Sequence, residues 1–174
     1  LKDIFIANEI VTRQKFARII ALQKAGVKVS FGVDSVGVLR LIDEVFGEAK
    51  EVAELLVEIE VGENRSGVIE ESEFRALMGV FKECKNVKFC GVFSHDGHSY
   101  KAKDKRECEQ IFRVATERTL KFADIAREFG YENFTVSIGS TPSLINDFEI
   151  PKGVTELRPG TYIFMDASQA NAYG

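Results

Sequence analysis

Short apolar runs alternate with longer amphipathic segments along the chain. Ile4–Ala7 is an apolar run typical of a buried strand, and Gln14–Ala25 carries apolar residues at helical spacing. Gly26 follows at a position where helices commonly end in the left-handed conformation. The chain therefore begins with a strand followed by a helix.

The same strand–helix unit recurs to the end of the sequence. The predicted strands are Ile4–Ala7, Val27–Val33, Leu55–Val61, Val87–Phe93, Phe134–Ile138 and Glu156–Met165, the last with a Pro-Gly break inside it. The predicted helices are Gln14–Ala25, a helix capped by Asp34 or Ser35 and running through Phe46, Glu70–Cys84 and Asp104–Gly130. A loop rich in serine, proline and asparagine replaces the helix after the fifth strand.

Strands separated by helices of this length pair in parallel through right-handed crossovers. The strands are largely continuous apolar runs, which predicts that both faces of the sheet are covered. Two α/β architectures fit, an open doubly wound sheet and a (β/α) barrel, although six strands are two fewer than a full barrel needs. We expect one domain over residues 1–174.

Composition narrows the class of protein. A net charge of −4 with acids and bases interspersed argues against a nucleic-acid partner. The apolar runs are shorter than the roughly 18 residues that span a bilayer, so no membrane association is expected. Cys84, Cys90 and Cys108 form no C-x-x-C pair, which is typical of reduced thiols in a cytoplasmic protein.

Polar residues crowd the points where the predicted strands end, and α/β folds build their sites at those ends. Both histidines, His95 and His98, follow one strand. They are candidates for a site role. A metal site is the alternative, and it would need a third ligand such as Asp34 or Glu63.

Two further strand ends offer small residues. Gly139-Ser140-Thr141 and Gly160-Thr161 could hold an anion such as phosphate through backbone N–H groups and hydroxyls, or could be ordinary loops. Neither a P-loop nor a Gly-x-Gly-x-x-Gly motif is present. Arg65 and Arg158 could bind an anion as well, or could pair with acids such as Glu58, Glu60 or Glu156.

Five stretches, taken in order, resemble the D-threonine aldolase/D-serine dehydratase family and, more distantly, alanine racemase. They are Asp3–Glu9, Val57–Val68, Gly91–Tyr100, Ser137–Pro142 and Glu156–Asp166. The resemblance is specific because all five keep the family's order over nearly the whole chain.

The resemblance implies an alanine-racemase-like (β/α)8 barrel of the TIM type, here incomplete with about six strands, that carries pyridoxal 5′-phosphate (PLP). Arg158 would face the pyridine nitrogen, His95 would lie against the ring, and Arg65 would reach the side of the phenolic oxygen. The implied phosphate ligands are Gly139, Ser140, Thr141, Gly160 and Thr161. The implied substrate-side residues are His98, Tyr100 and Tyr162.

The resemblance also has gaps. The family's Schiff-base lysine precedes the stretch that resembles Asp3–Glu9, and no lysine of this chain matches it. The family's C-terminal β domain, whose His-x-Asp or His-x-Cys motif holds a divalent metal (Zn or Mn), has no counterpart. We therefore expect an internal fragment that lacks the first two barrel strands and is inactive by itself.

The expected parent is a PLP-dependent lyase that acts on D-amino acids, either a D-threonine aldolase or a D-serine dehydratase, and a homodimer. Three alternatives stay open. They are an amino-acid racemase, a non-catalytic PLP-binding or homeostasis protein with the same barrel, and a barrel scaffold that binds phosphate without PLP.

Overall fold

A computed structural model describes residues 1–163, except for the side chain of Tyr162. The strands are β1 (Asp3–Glu9), β2 (Lys28–Val33), β3 (Ala53–Glu58), β4 (Val87–Phe93), β5 (Thr135–Ile138) and β6 (Glu156–Leu157). The α-helices are α1 (Arg13–Lys24), α2 (Val36–Ala49), α3 (Glu71–Glu83), α4 (Lys105–Glu128) and α5 (Thr141–Ile145). Two short 3-10 helices cover Gly97–Lys101 and Thr161–Ile163. None of the described helices combines the length and apolarity needed to cross a bilayer.

The sheet distinguishes between the two predicted architectures. Within the described residues, six parallel strands lie in the order β1-β2-β3-β4-β5-β6, so each strand pairs with its neighbour in sequence. A doubly wound sheet reverses its strand order at a switch point, and this sheet does not. The prediction of an incomplete barrel with about six strands is therefore confirmed.

The main apolar core lies between the sheet and its helices. Phe31 of β2 packs against Phe16 of α1 and Phe46 of α2, with ring centroids 6.2 and 6.0 Å away, and all three side chains are fully buried. Phe74 of α3 and Phe122 of α4 meet edge to face at 5.1 Å. These contacts fix the helices on one side of the sheet.

The opposite side of the sheet, which we call the inner face, is different in character. Residues of β3 alternate, with Leu55 and Val57 in the helix-side core and Glu54, Leu56 and Glu58 outside it. The inner face of β3 therefore mixes charged and apolar side chains, and Leu56 and Glu58 are both buried there. The short apolar runs concealed this alternation because polar residues occupy only some of its positions.

The main differences from the predicted elements lie in β3 and in the segments after β5. β3 ends at Glu58 instead of Val61, since the Glu60 carboxylate accepts hydrogen bonds from the backbone N–H of Gly62 (2.6 Å) and of Asn64 (2.8 Å) and closes a turn. The loop predicted after β5 contains the short helix α5, whose first turn accommodates a proline.

The last predicted strand, Glu156–Met165, is mostly not a strand in the described residues. Only Glu156 and Leu157 pair with β5. Pro159 has no N–H to continue the ladder, and a 3-10 helix follows. Residues 164 and 165 lie outside the described part of the chain.

Candidate active site

A cavity of about 190 Å³ opens at the carboxyl ends of the strands. Its walls come from β1, β4 and the segments after β3, β4, β5 and β6; they are Ala7, Arg65, Phe93, His95, Gly139 and Arg158. The fold thus brings together four of the residues singled out from the sequence. Ala7 and Phe93 carry no polar side chain, so sequence reasoning did not select them.

A larger opening, of about 340 Å³, lies at the amino ends of the strands. Its charged side chains largely pair with one another, because Lys28 and Lys88 both contact Glu54. No lysine lines the smaller cavity in the described part of the chain. We place the candidate site at the smaller cavity because ligands of barrel folds bind at the carboxyl ends of the strands.

Arg158 forms the inner wall of the cavity. Its guanidinium lies beside a pair of aromatic rings, 5.9 Å from the centroid of Phe5 and 5.5 Å from that of Phe93. It donates hydrogen bonds to the Ser137 hydroxyl and to the Ser94 carbonyl. Burial lowers the pKa of this guanidinium, while nearby carboxylates act in the opposite direction. It remains a cation near neutral pH because an arginine starts so far above that range.

His95 lies across the cavity and is oriented by the backbone. Its Nδ1 is 3.1 Å from the carbonyl oxygen of Gly139. A carbonyl can only accept, so Nδ1 carries the proton and Nε2 faces the Glu63 carboxylate at 4.0 Å. Within residues 1–163 no three His, Cys, Asp or Glu side chains converge as a metal site. Asp34, a candidate third ligand, instead accepts from the Gly67 N–H at 3.4 Å.

His98 lies apart from this cavity. Its ring packs against Gly62, where an added Cβ would be 3.0 Å from the His98 Nε2. The Nδ1 atom is buried and has no hydrogen-bond partner among the described residues. The two histidines predicted to share a site therefore point into different surroundings.

A second group of predicted residues meets beside the cavity. The buried Thr141 Oγ1 accepts hydrogen bonds from two consecutive backbone N–H groups, those of Gly160 (3.1 Å) and Thr161 (3.0 Å). The Thr161 hydroxyl lies 3.1 Å from the Tyr100 hydroxyl. Paired N–H groups that converge on one oxygen are suited to an anion. The side chain of Tyr162 lies outside the described residues.

Ser140 belongs to a buried hydroxyl network. Its Oγ lies 2.7 Å from Ser99 Oγ and donates to Ser143 Oγ at 3.2 Å, and Ser143 in turn donates to the Asp96 carboxylate. Each hydroxyl has a single proton, so the Ser140 proton is used within this network. The sequence did not single out Asp96 as the acceptor at its end.

Arg65 lies in the loop after β3 and its side chain is about half exposed. Its Nη2 is 3.4 Å from Glu58 Oε1, and its Nη1 is 3.5 Å from Glu63 Oε2. Glu58 is only 3% exposed and also accepts from the Ser66 hydroxyl at 2.9 Å. Of the acids considered as partners from the sequence, Glu58 is the one that Arg65 contacts.

Glu9, at the end of β1, is one of the polar residues at the strand ends, and sequence reasoning did not single it out as a site residue. Burial, together with a hydrogen bond and charge from Glu58, raises the pKa of Glu9 to about 8. One available signal was the glutamate at position 58, an acid that continues the apolar run Leu55–Val57. Nothing in the sequence placed Glu9 beside it.

Comparison with known proteins identifies relatives of this chain. Residues 2–168 match the family described as the alanine racemase N-terminal domain. The D-threonine aldolase of Arthrobacter sp. is 30% identical over 167 residues, which cover 95% of this chain and 43% of that protein.

Solved structures agree with this assignment. The D-threonine aldolase from Filomicrobium marinum matches with a TM-score of 0.87 at 28% identity, over 99% of this chain and 46% of that one. The D-threo-3-hydroxyaspartate dehydratase from Delftia sp. HT23 matches with a TM-score of 0.85 at 26% identity, over 92% of this chain and 42% of that one. The chain spans less than half the length of each of these relatives.

Proposed function

Because the chain belongs to the alanine racemase N-terminal domain family, we propose that it forms the cofactor-binding barrel of a PLP-dependent lyase acting on D-amino acids. The family is PLP-dependent. The activity proposed is that of a D-threonine aldolase or a D-serine dehydratase, because the relatives include D-threonine aldolases and dehydratases that act on D-amino acids. The observation that carries the proposal is the convergence of Arg65, His95, Gly139 and Arg158 on one cavity.

The residues present fit the phosphate and ring of PLP. Two consecutive backbone N–H groups, of Gly160 and Thr161, meet at the Thr141 hydroxyl, a donor arrangement suited to a phosphate oxygen. The Arg158 guanidinium and the His95 ring form two walls of the adjoining cavity. When bound, PLP supplies an electron sink for charge that develops at the α-carbon of an amino acid.

The chain's own residues would have separate tasks. Arg158 is a fixed cation that donates hydrogen bonds and cannot accept a proton. It would donate to an unprotonated ring nitrogen and so limit the negative charge that the ring takes up. His95 would hold or pass a proton at Nε2 while Nδ1 stays on the Gly139 carbonyl. Arg65 would bind an anionic oxygen at the outer wall. Ser140, His98, Tyr100 and Tyr162 stay predictions as ligands of cofactor or substrate.

Three further properties of the whole protein are part of the proposal. It would be a homodimer. A divalent metal, Zn or Mn, would belong to a β domain like the one the family carries after its barrel. The reduced thiols favour a cytoplasmic location.

The test uses the intact gene product from its complete reading frame. We expect visible absorbance from bound PLP, glycine formation from D-threonine or pyruvate formation from D-serine, and no reaction with the L-enantiomers. Interconversion of alanine enantiomers without lyase activity would support the racemase alternative, and bound PLP without turnover would support a PLP-binding protein. A protein that binds no PLP would overturn the proposal.

A further inference from the structure

We propose that Glu9 and Glu58 share one proton and together position Arg65 at the candidate active site, with Glu58 as the carboxylate and Glu9 as the neutral acid. This inference rests on the proposed function for its consequence, because Arg65 matters to the reaction only if the cavity binds an anionic ligand. The carboxyl pair itself can be tested without any ligand.

Glu58 is the anchor of the arrangement. It is almost fully buried on the inner face of β3, where an ionised carboxylate needs hydrogen-bond donors. Arg65 Nη2 at 3.4 Å and Ser66 Oγ at 2.9 Å supply them, and both belong to the loop after β3. Gly67 lets this loop lie against the strand, since an added Cβ there would be 3.1 Å from the Glu58 Cγ and 2.8 Å from the Glu60 backbone nitrogen.

Glu9 reaches the same place from β1. The register between β1 and β2 is irregular after Ile6, and Glu9 pairs with Gly32 of β2, a residue with no side chain to separate it from β3. Its Oε1 atom is buried without a hydrogen-bond partner among the described residues. An ionised Glu9 would therefore keep one charged oxygen both desolvated and unpaired.

Two adjacent carboxyl groups in such a site cannot both ionise near neutral pH. Burial is the largest cause that raises the pKa of Glu9 to about 8, followed by its hydrogen bond to Glu58 and the charge of Glu58, with a smaller effect from Asp34. Glu9 therefore keeps its proton and donates a hydrogen bond to Glu58. Arg65 and Ser66 both donate to Glu58, so Glu58 is the accepting member of the pair.

The charged groups around the pair explain how it positions Arg65. The acids near Glu9 are Glu58 of β3 and Asp34 of the segment between β2 and α2. The cations near Glu58 include Arg65 and Arg158. With Glu9 neutral, Arg65 is shared between Glu58 and Glu63 at 3.4 and 3.5 Å. Ionisation of Glu9 adds a second negative charge beside Glu58, which draws Arg65 toward the sheet and away from the cavity.

The direction of the pH effect follows from linkage. The folded-state pKa of Glu9, about 8, lies above the ordinary value of 4.5, so the folded protein holds this proton more tightly than the unfolded chain does. The stabilisation of the folded protein by this proton on Glu9 is fully present below pH 4.5, the ordinary pKa, and is lost as pH rises through about 8. An E9Q variant is neutral at every pH and does not show this loss.

The experiment compares wild type, E9Q, E58Q and E54Q in the intact gene product. Glu54 is the matched control, a glutamate on the same face of β3 that pairs with lysines instead of a second acid. Thermal unfolding without ligand is measured from about pH 5 to pH 9. We expect melting temperature to fall with pH in wild type and E54Q, and to fall much less in E9Q.

The affinity for PLP is then measured at about pH 7 and pH 9. We expect E9Q to resemble wild type at the lower pH and to bind more tightly at the higher one, while E58Q binds about tenfold more weakly at both, a change of ~1.4 kcal/mol. If E58Q fails to fold, the comparison of E9Q with wild type still tests the proposal.

The outcomes separate the two proposals. Equal pH slopes of melting temperature in wild type and E9Q would overturn the carboxyl pair. A difference in slope, with wild-type PLP affinity in both E9Q and E58Q at each pH, would overturn the role in positioning Arg65. A difference in slope in a protein that binds no PLP would support the pair and contradict the proposed function.

Discussion

The two faces of the sheet are built from the same strands and have opposite character. The helix side is a layer of interlocking aromatic and aliphatic side chains, in which Phe31 is completely buried against Phe16 and Phe46. The inner face carries Glu58 in β3 and Arg158 just after β6, with their hydroxyl and carboxylate partners. Apolar burial stabilises the fold on one side, while the other side keeps charged groups that are costly to desolvate.

The difference shows that the helix side of the sheet mainly stabilises the fold, while the inner face carries the groups available for chemistry. A side chain on the helix side can be replaced only by one of similar volume, because the layer is close-packed. On the inner face the geometry of hydrogen bonds matters more than volume. Substitutions on the two faces should therefore differ in what they change as well as in how much.

The largest effect is expected from Phe31→Ala on the helix side. Loss of a fully buried ring that packs against two others should lower the free energy of unfolding by about 3–5 kcal/mol, measured by urea denaturation. Phe5→Ala is the matched change on the inner face, where the ring is only partly buried against Phe93 and Arg158. Equal losses in the two variants would contradict the contrast between the faces.

A smaller effect is expected from Thr141→Val at the edge of the inner face. Valine keeps the shape but leaves the N–H groups of Gly160 and Thr161 without their acceptor, which should cost about 1–3 kcal/mol of unfolding free energy. Thr141→Ser keeps the hydroxyl and should remain close to wild type. If the phosphate of PLP accepts hydrogen bonds from both N–H groups in place of Thr141, added PLP should raise the melting temperature of Thr141→Val more than that of wild type. A serine variant as unstable as the valine variant would argue against this account.

The smallest effect is expected at the amino ends of the strands. Lys88 pairs with Glu54 at 3.2 Å, and the lysine side chain is mostly exposed. Lys88→Met should change the unfolding free energy by less than about 1 kcal/mol, and high salt should remove the difference. A loss of unfolding free energy comparable with that of Thr141→Val would mean that this end of the inner face is as sensitive to substitution as the candidate site.

Much of the fold could be read from the hydrophobic pattern. The four long helices begin and end within a few residues of their predicted bounds, since each buries one stripe with a period that the sequence displays. Boundaries set by individual hydrogen bonds could not be read in this way. β3 stops early because of the Glu60 carboxylate, and the last strand is short where Pro159 follows.

The candidate site was partly predictable for a similar reason. Strand ends of a parallel sheet meet at one edge, so Arg65, His95 and Arg158 could be grouped from sequence alone. The pattern could not show that His98 turns away onto Gly62. It also could not show that the Ser140 proton is used inside a buried network that ends at Asp96.

The sequence by itself determined the parallel α/β class, the family and the edge of the sheet where polar residues gather, because these depend on periodicity and on the order of motifs. Only the tertiary structure decided which strands are neighbours, which face is polar, and that Glu9 meets Glu58 beside Arg65. The physical reason is that a pKa or an ion pair depends on distance in space. Two glutamates on strands separated by a third show no relation in the sequence.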